Sequence, residues 1–197
     1  MNILIVFGST DGQTADIADR IAQRIRAGGN GAAAMDVAHL PRTLDLGRFD
    51  GVMVGASLHS RGYQKRVRQF IRAHTDWLRR TPSAFFSVCL SVISRQEKSR
   101  LEARAIPARF VSGLAWIPTM IEVIPGALMF SRYGWLRRMV MTRIARAEVA
   151  DVDITKDTVY TDWNQVDAFA DRFVQMIAQE HPHPPTPPLA PEHQPAA

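Results

Sequence analysis

The sequence predicts an α/β fold, a doubly wound parallel sheet of five strands, on three observations. Short runs that are apolar throughout recur along the chain, the pattern of strands buried on both faces. Between them, apolar residues return at three- and four-residue spacing, the pattern of helices with one buried side. Glycine-bearing turns such as Gly8–Gly12 and Gly28–Gly29 punctuate the alternation, as they do in stacked strand–helix units.

Asn2–Phe7 is the first strand. Thr14, Ile17, Ala18, Ile21, Ala22 and Ile25 mark the first helix, which Gly28 and Gly29 end. Ala33–Val37 is a weaker strand and Gly51–Ala56 a third. Val67, Phe70, Ile71, His74 and Leu78 fit one continuous helix, and Ser83–Leu90 a fourth strand. Arg95–Ser112 reads as a helix that Pro107 breaks or bends. Met120–Ile124 is the fifth strand, and Val159–Tyr160 a short later one. Val166, Phe169, Ala170, Phe173 and Ile177 mark the last helix, capped by Thr161 or Asp162. The folded domain is expected over residues 1–180, with an insertion at about 127–157 that interrupts or follows the fifth strand. Residues 181–197 hold seven prolines in seventeen positions and almost nothing apolar, and read as a disordered, proline-rich tail.

The chain has 197 residues, 46% hydrophobic and 22% charged, enough for a full core. Cys89 is the one cysteine, so disulfide scaffolds and cysteine metal clusters are excluded and a reducing compartment is expected. No secretory signal is expected. The most apolar window, Val111–Phe130, contains Gly113, Pro118, Glu122, Pro125 and Gly126, which argues against a spanning helix. The net charge of +5, carried almost wholly by arginine, points to an anionic partner: a nucleic acid, an acidic membrane surface, or a carboxylate or phosphate ligand. No basic–aromatic platform stands out, so nucleic acid is not expected. The three histidines of the tail read as solvated, and no metal site is expected.

In open α/β sheets, ligands bind beyond the carboxyl ends of the strands. The loops after Phe7, Ala56 and Leu90 are therefore the places to look. The first of them, Gly8-Ser9-Thr10-Asp11-Gly12-Gln13-Thr14, leaves a buried strand and opens a helix. That arrangement aims backbone N–H groups and the positive helix end at one point, which suits a phosphate. Ser9, Thr10 and Thr14 add hydroxyl donors, and Gly12 permits close approach. The loop lacks the Gly-Lys-Ser/Thr of a Walker loop and is not Gly-x-Gly-x-x-Gly.

This loop resembles the flavin-phosphate loop of flavodoxins, with Asp11 where many of them carry threonine. Asp11-Gly12-Gln13-Thr14, Gly55-Ala56-Ser57, Pro82–Val88, Pro125–Leu128, Arg132-Tyr133-Gly134-Trp135 and Tyr160-Thr161-Asp162-Trp163 together resemble the bacterial flavodoxin-type protoporphyrinogen dehydrogenases that pass electrons to quinone. The resemblance runs in order over about residues 1–178. It implies a flavodoxin-like fold with bound FMN, and oxidation of protoporphyrinogen IX to protoporphyrin IX in haem biosynthesis. Menaquinone or ubiquinone is the implied acceptor, and the cytoplasmic face of the cell membrane the implied location. It also implies that Ser9–Thr14 hold the flavin phosphate, that Ser57, Leu58, His59 and Tyr63 lie along one side of the ring, and that Ser87, Val88, Cys89 and Leu90 lie along the other. Tyr63 is placed to stack on the ring or to start a helix, half-buried. His59 has the titration range of a proton acceptor, but no catalytic residue is assigned. Two other readings stay open: a flavodoxin-like electron carrier, which the positive charge disfavours, and another FMN-dependent quinone reductase.

The distinctive stretch lies between Gly126 and Val159. Tyr133, Leu136, Val140, Ile144 and Ala147 share one face of a predicted helix, with Arg138, Thr142 and Arg146 opposite. Arg132, Arg137, Arg138, Arg143 and Arg146 precede the first acid, Glu148. The pattern suits an ordinary packed surface helix, a contact with an anionic membrane surface through Tyr133, Trp135 and the arginines, or pairing of those arginines with the substrate's carboxylates.

Overall fold

A computed structural model describes residues 1–59, 62–132, 134–148 and 153–180. Its main sheet has five parallel strands: β1 (Asn2–Gly8), β2 (Gly31–Asp36), β3 (Gly51–Ser57), β4 (Ser83–Val88) and β5 (Met120–Ile124), in the order β2-β1-β3-β4-β5. This is the doubly wound order 2-1-3-4-5, whose direction reverses between β1 and β3. The helices are α1 (Gln13–Ala27), α2 (Lys65–Ala73), α3 (Thr75–Arg80), α4 (Glu97–Ser112), α5 (Trp135–Glu148) and α6 (Trp163–Glu180).

Both faces of the sheet are covered, which is why β1 reads as an unbroken apolar run. Ile3, Ile5 and Phe7 face α1 and α6, meeting Ile17, Ile21, Ile25, Phe169, Phe173 and Ile177. Leu4 and Val6 face the other way, into a second core with Val67, Phe70, Ile71, Phe85, Val111 and Trp116. Each Cβ alternates across the strand, so one run feeds two cores. Outside the core, α1 and α6 are clamped by two forked ion pairs: Arg20 donates to both oxygens of Asp167 at 2.7 and 2.6 Å, and Arg24 to both of Asp171 at 2.8 and 2.7 Å. Gly55 is required by close approach, because a Cβ there would lie 2.0 Å from Phe86 Cζ.

Three expectations need correction. The helix marked by Val67 to Leu78 is two helices, because His74 leaves helical geometry at φ −120° and Thr75 Oγ1 donates to the Ile71 carbonyl at 2.7 Å. A threonine side chain competes there for the backbone acceptors that continue a helix. The fourth strand stops at Val88, and Leu90–Ile93 turns into a 3-10 segment. The later short strand is β7 (Thr158–Val159), which pairs antiparallel with β6 (Ala127–Leu128) outside the main sheet. Pro107 stays inside α4 without ending it. Asp162 is the cap of α6, its Oδ1 accepting from the Asn164 N–H at 2.9 Å and the Gln165 N–H at 3.3 Å.

Between β5 and α6 the chain forms β6, α5 and β7 around a small cluster of its own. Leu128, Phe130 and Ala145 are fully buried there, with Met141 and Tyr160 against them. Arg138 was expected on the polar side of the helix, away from the packed face. Its side chain is exposed there, and its guanidinium donates to the Ile154 carbonyl at 3.2 Å. Trp135 is 80% exposed and Met139 60%. Tyr133 and the side chains of Arg132, Leu136, Arg137, Val140, Ile144, Arg146 and Ala147 lie outside the described residues, as does the tail.

Candidate functional site

At the β1/β3 reversal, the loops after β1, β3 and β4 converge on one cleft. It holds about 490 Å³ of space, part of it open to solvent. Asp11, Gln13 and Thr14 come from the first loop, Ser57, Leu58 and His59 from the second, Val88 and Leu90 from the third. Gly126, Ala127 and Met141 complete the lining. The loops after β3 and β4 are tied to each other, since the Leu58 N–H donates to the Val88 carbonyl at 2.9 Å.

The opening of α1 is shaped by Gly12, whose φ of +97° is a left-handed conformation that a side chain strains. Ser9 Oγ accepts the Gly12 N–H at 3.1 Å and so curls the loop. Gly12 supplies no side-chain cap, and the first N–H groups of any helix have no partner within it. Thr14 is 1% exposed in that first turn. Gln13 is also buried, and its Nε2 donates to Thr161 Oγ1 at 2.8 Å. Thr161 in turn donates to the Pro125 carbonyl at 2.7 Å.

Gln64, which the sequence did not single out, links two of the loops. Its Nε2 donates to Thr10 Oγ1 at 3.2 Å and to Ser57 Oγ, which lies 3.1 Å from His59 Nε2. Among the described residues, Gln64 Oε1 is a buried acceptor with no hydrogen-bond partner. An orphaned buried acceptor costs free energy until something donates to it.

Tyr63, Ser87 and Cys89 do not line the cleft. Tyr63 is packed into the second core, its ring 5.4 Å from Phe85 and 4.4 Å from Phe110, and its hydroxyl donates to Ser87 Oγ at 2.8 Å. The aromatic side chains of β4 and α4 cover its faces, so stacking on a ligand in the cleft is replaced by a core role. Ser87 is fully buried as the acceptor of that bond. Burial pushes the Tyr63 hydroxyl above the usual phenol range, so it stays protonated near neutral pH. Cys89 is 4% exposed beside Val92 and Ala103, and its N–H donates to the Ile124 carbonyl at 3.0 Å. It is a packed thiol of the β4 end. Arg138 and Trp135 are on α5 and do not line the cleft, which that helix reaches through Met141.

These groups fit the cofactor that the sequence resemblance implies. The uncapped start of α1 and its hydroxyls suit the FMN phosphate. Leu58, Val88, Leu90 and Met141 offer apolar contact for a flat ring. Asp11 is the one lining group of the wrong sign for a phosphate.

Comparison with known proteins agrees with this geometry. The family model described as "Flavodoxin domain" matches residues 4–155. The chain is 35% identical over 172 residues to the Escherichia coli (strain K12) protein named protoporphyrinogen IX dehydrogenase [quinone], covering 86% of this chain and 93% of that one. It is 28% identical over 183 residues to the protein of the same name from Leishmania major, covering 92% and 78%. Among solved structures, oxidised flavodoxin 1 from Bacillus cereus superposes with a TM-score of 0.52 at 18% identity, covering 89% of this chain and 98% of that one. At that identity the likeness speaks for the fold. Sequence and fold together therefore lead to one conclusion: this chain belongs to the flavodoxin domain family, alongside the quinone-linked protoporphyrinogen IX dehydrogenases.

Proposed function

We propose that this protein binds FMN and oxidises protoporphyrinogen IX to protoporphyrin IX, passing the electrons to a quinone, menaquinone or ubiquinone. The observation that carries the reading is the cleft at the β1/β3 reversal, open at an uncapped helix start, in a chain 35% identical to a dehydrogenase of that name along nearly its whole length. FMN, when bound, supplies the two-electron acceptor chemistry between substrate and quinone.

The protein's own residues bind, orient and shield. The N–H groups at the start of α1 and the Thr14 hydroxyl hold the phosphate. Gln64 fixes the loop after β1 against the loop after β3, so the polar and apolar parts of the cleft keep one spacing. Thr161 fixes Gln13 against the turn after β5. Leu58, Val88, Leu90 and Met141 exclude water from the apolar part. His59 is the titratable imidazole of the cleft; held by Ser57 Oγ, it is placed to take up protons released there.

The reading extends to attachment at an anionic membrane surface, on the cytoplasmic face. No helix among the described residues is long and apolar enough to cross a membrane. Support comes from α5, where Trp135 and Met139 stand exposed one turn apart, with Arg138 and Arg143 exposed beside them. An apolar edge flanked by guanidinium groups suits a headgroup boundary, where both the substrate and a lipid quinone partition.

Anaerobic turnover of protoporphyrinogen IX by FMN-loaded protein, followed by porphyrin fluorescence with menaquinone and ubiquinone analogues, tests the catalytic reading. Quinone-dependent porphyrin formation is expected; its absence with both quinones overturns the reading. Co-sedimentation with phosphatidylglycerol vesicles tests the second. Trp135→Ala combined with Met139→Ala is expected to leave protein in the supernatant, and equal pelleting of variant and parent would reject the membrane contact.

A further inference from the structure

We propose that the groove between α2 and α4 is a carboxylate subsite for the tetrapyrrole, anchored by Arg68. The proposal rests on the substrate named above and goes beyond it by assigning where the acidic edge of that substrate is held. The groove contains about 650 Å³ of space, part of it open solvent. Its floor is apolar, built from Tyr63, Ile106, Phe110 and Leu114.

Arg68 is half-buried at the edge of this floor, with its guanidinium carbon 5.3 Å from the centre of the Phe110 ring. Among the described residues it has no carboxylate partner. A half-buried cation left unpaired is costly, and an aromatic face compensates only in part. Arg109, across the same groove, is different: it is exposed and already donates to Glu102. Arg68 is thus the cation that a ligand can complete. Its planar fork is shaped for bidentate pairing with a carboxylate. A small anion alone would leave the apolar floor uncovered, and a neutral quinone would leave the guanidinium unpaired. A flat apolar ring system bearing carboxylates satisfies both.

The groove also adjoins the cofactor cleft. His59 and Gly62 form an antiparallel bridge, with His59 N–H to Gly62 O at 3.3 Å and Gly62 N–H to His59 O at 2.8 Å. His59 lines the cleft and Gly62 lines the groove. A tetrapyrrole whose ring system covers the groove's floor, with its carboxylates at Arg68, is thus one bridged pair of residues away from the cleft. The same geometry separates substrate from acceptor, since only the first carries the charge that Arg68 recognises.

The test titrates FMN-loaded protein with protoporphyrin IX and with its dimethyl ester, read by quenching of tryptophan fluorescence. Arg68→Gln is expected to weaken protoporphyrin IX binding by about 10- to 100-fold, the range of a lost charge-assisted pair. It should leave dimethyl ester binding, FMN affinity and the melting temperature near those of the parent. Arg68→Lys, which keeps the charge and loses the fork, is expected to fall between parent and Arg68→Gln. Unchanged protoporphyrin IX binding by Arg68→Gln overturns the subsite, as does equal loss for acid and ester. If Arg68→Gln does not fold, Arg68→Lys decides: acid binding equal to the parent's overturns the subsite. Failure here is separable from failure of the function, which shows instead as absent quinone-dependent turnover by the unmodified protein.

Discussion

Replacing Thr161 by valine keeps the shape of the side chain and removes one hydroxyl that joins two parts of the cleft. That hydroxyl accepts from Gln13 Nε2 at 2.8 Å and donates to the Pro125 carbonyl at 2.7 Å, and Thr161 is only 8% exposed. Each bond is worth about 0.5–1.5 kcal/mol net, and a partner left buried and unpaired costs about 1–3 kcal/mol. Gln13 lines the cleft, so its amide regains water and stays at the low end, whereas the Pro125 carbonyl is half-covered. The sum is about 1.5–3 kcal/mol. For a domain of this size it lowers the melting temperature by about 3–12 °C. Circular dichroism melts of the apoprotein measure it. Thr161→Ser, which restores the hydroxyl, is the control and should keep most of the stability. FMN affinity should fall in Thr161→Val as well, because Gln13 opens the helix that meets the phosphate. A melting temperature within about 1 °C of the parent would refute the reasoning and reduce the Gln13–Thr161–Pro125 chain to a solvated contact.

Three further outcomes are expected. Thr14→Ala should weaken FMN binding by about 1–3 kcal/mol through a lost phosphate contact, and unchanged affinity by flavin titration would show that the phosphate lies elsewhere. Burial lowers the pKa of His74 from its ordinary value of 6.5, so the folded state favours the neutral ring. Its contribution to stability is then fully present above 6.5 and is lost as pH falls below 6.5 through the folded value, while His74→Gln should flatten that slope. Urea melts between pH 8 and pH 5 compare the two, and identical slopes would exclude the residue. Gly55→Ala forces a Cβ to 2.0 Å from the fully buried Phe86 ring and should cost about 1–3 kcal/mol or more; a variant as stable as the parent in the same melts would contradict the close approach of β3 and β4.

β1, β3 and β4 were legible because each is buried along its whole length and almost wholly apolar, whereas the edge strands β2 and β5 are only partly buried and carry weaker patterns. The turn that opens α1 was legible because strand, glycine turn and helix start follow one another in a dozen residues. What the sequence hid is what distance along the chain hides. Gln64 and Thr10 are 54 residues apart, and Gln13 and Thr161 are 148 apart, so neither pair leaves a local signal. Tyr63 misled for the opposite reason. An aromatic next to a ligand loop suits a stacking role until Phe85 and Phe110, from distant elements, enclose it. The break at His74 carries no glycine or proline, and the apolar spacing runs straight through it; only the competing Thr75 hydroxyl marks it. On α5, helical spacing placed Arg138 with the solvent-facing residues, where it is exposed; its bond to the Ile154 carbonyl joins positions 16 apart and left no local signal.

The tether from Gln13 to Thr161 has a consequence for biosynthesis. The loop after β1 is braced by Thr161, 148 residues further along the chain, and the core beneath it is closed by Phe169, Phe173 and Ile177. A nascent chain halted before Thr161 therefore carries the whole phosphate loop yet has neither the brace nor the floor. The cleft is therefore complete only once the chain has been translated through α6.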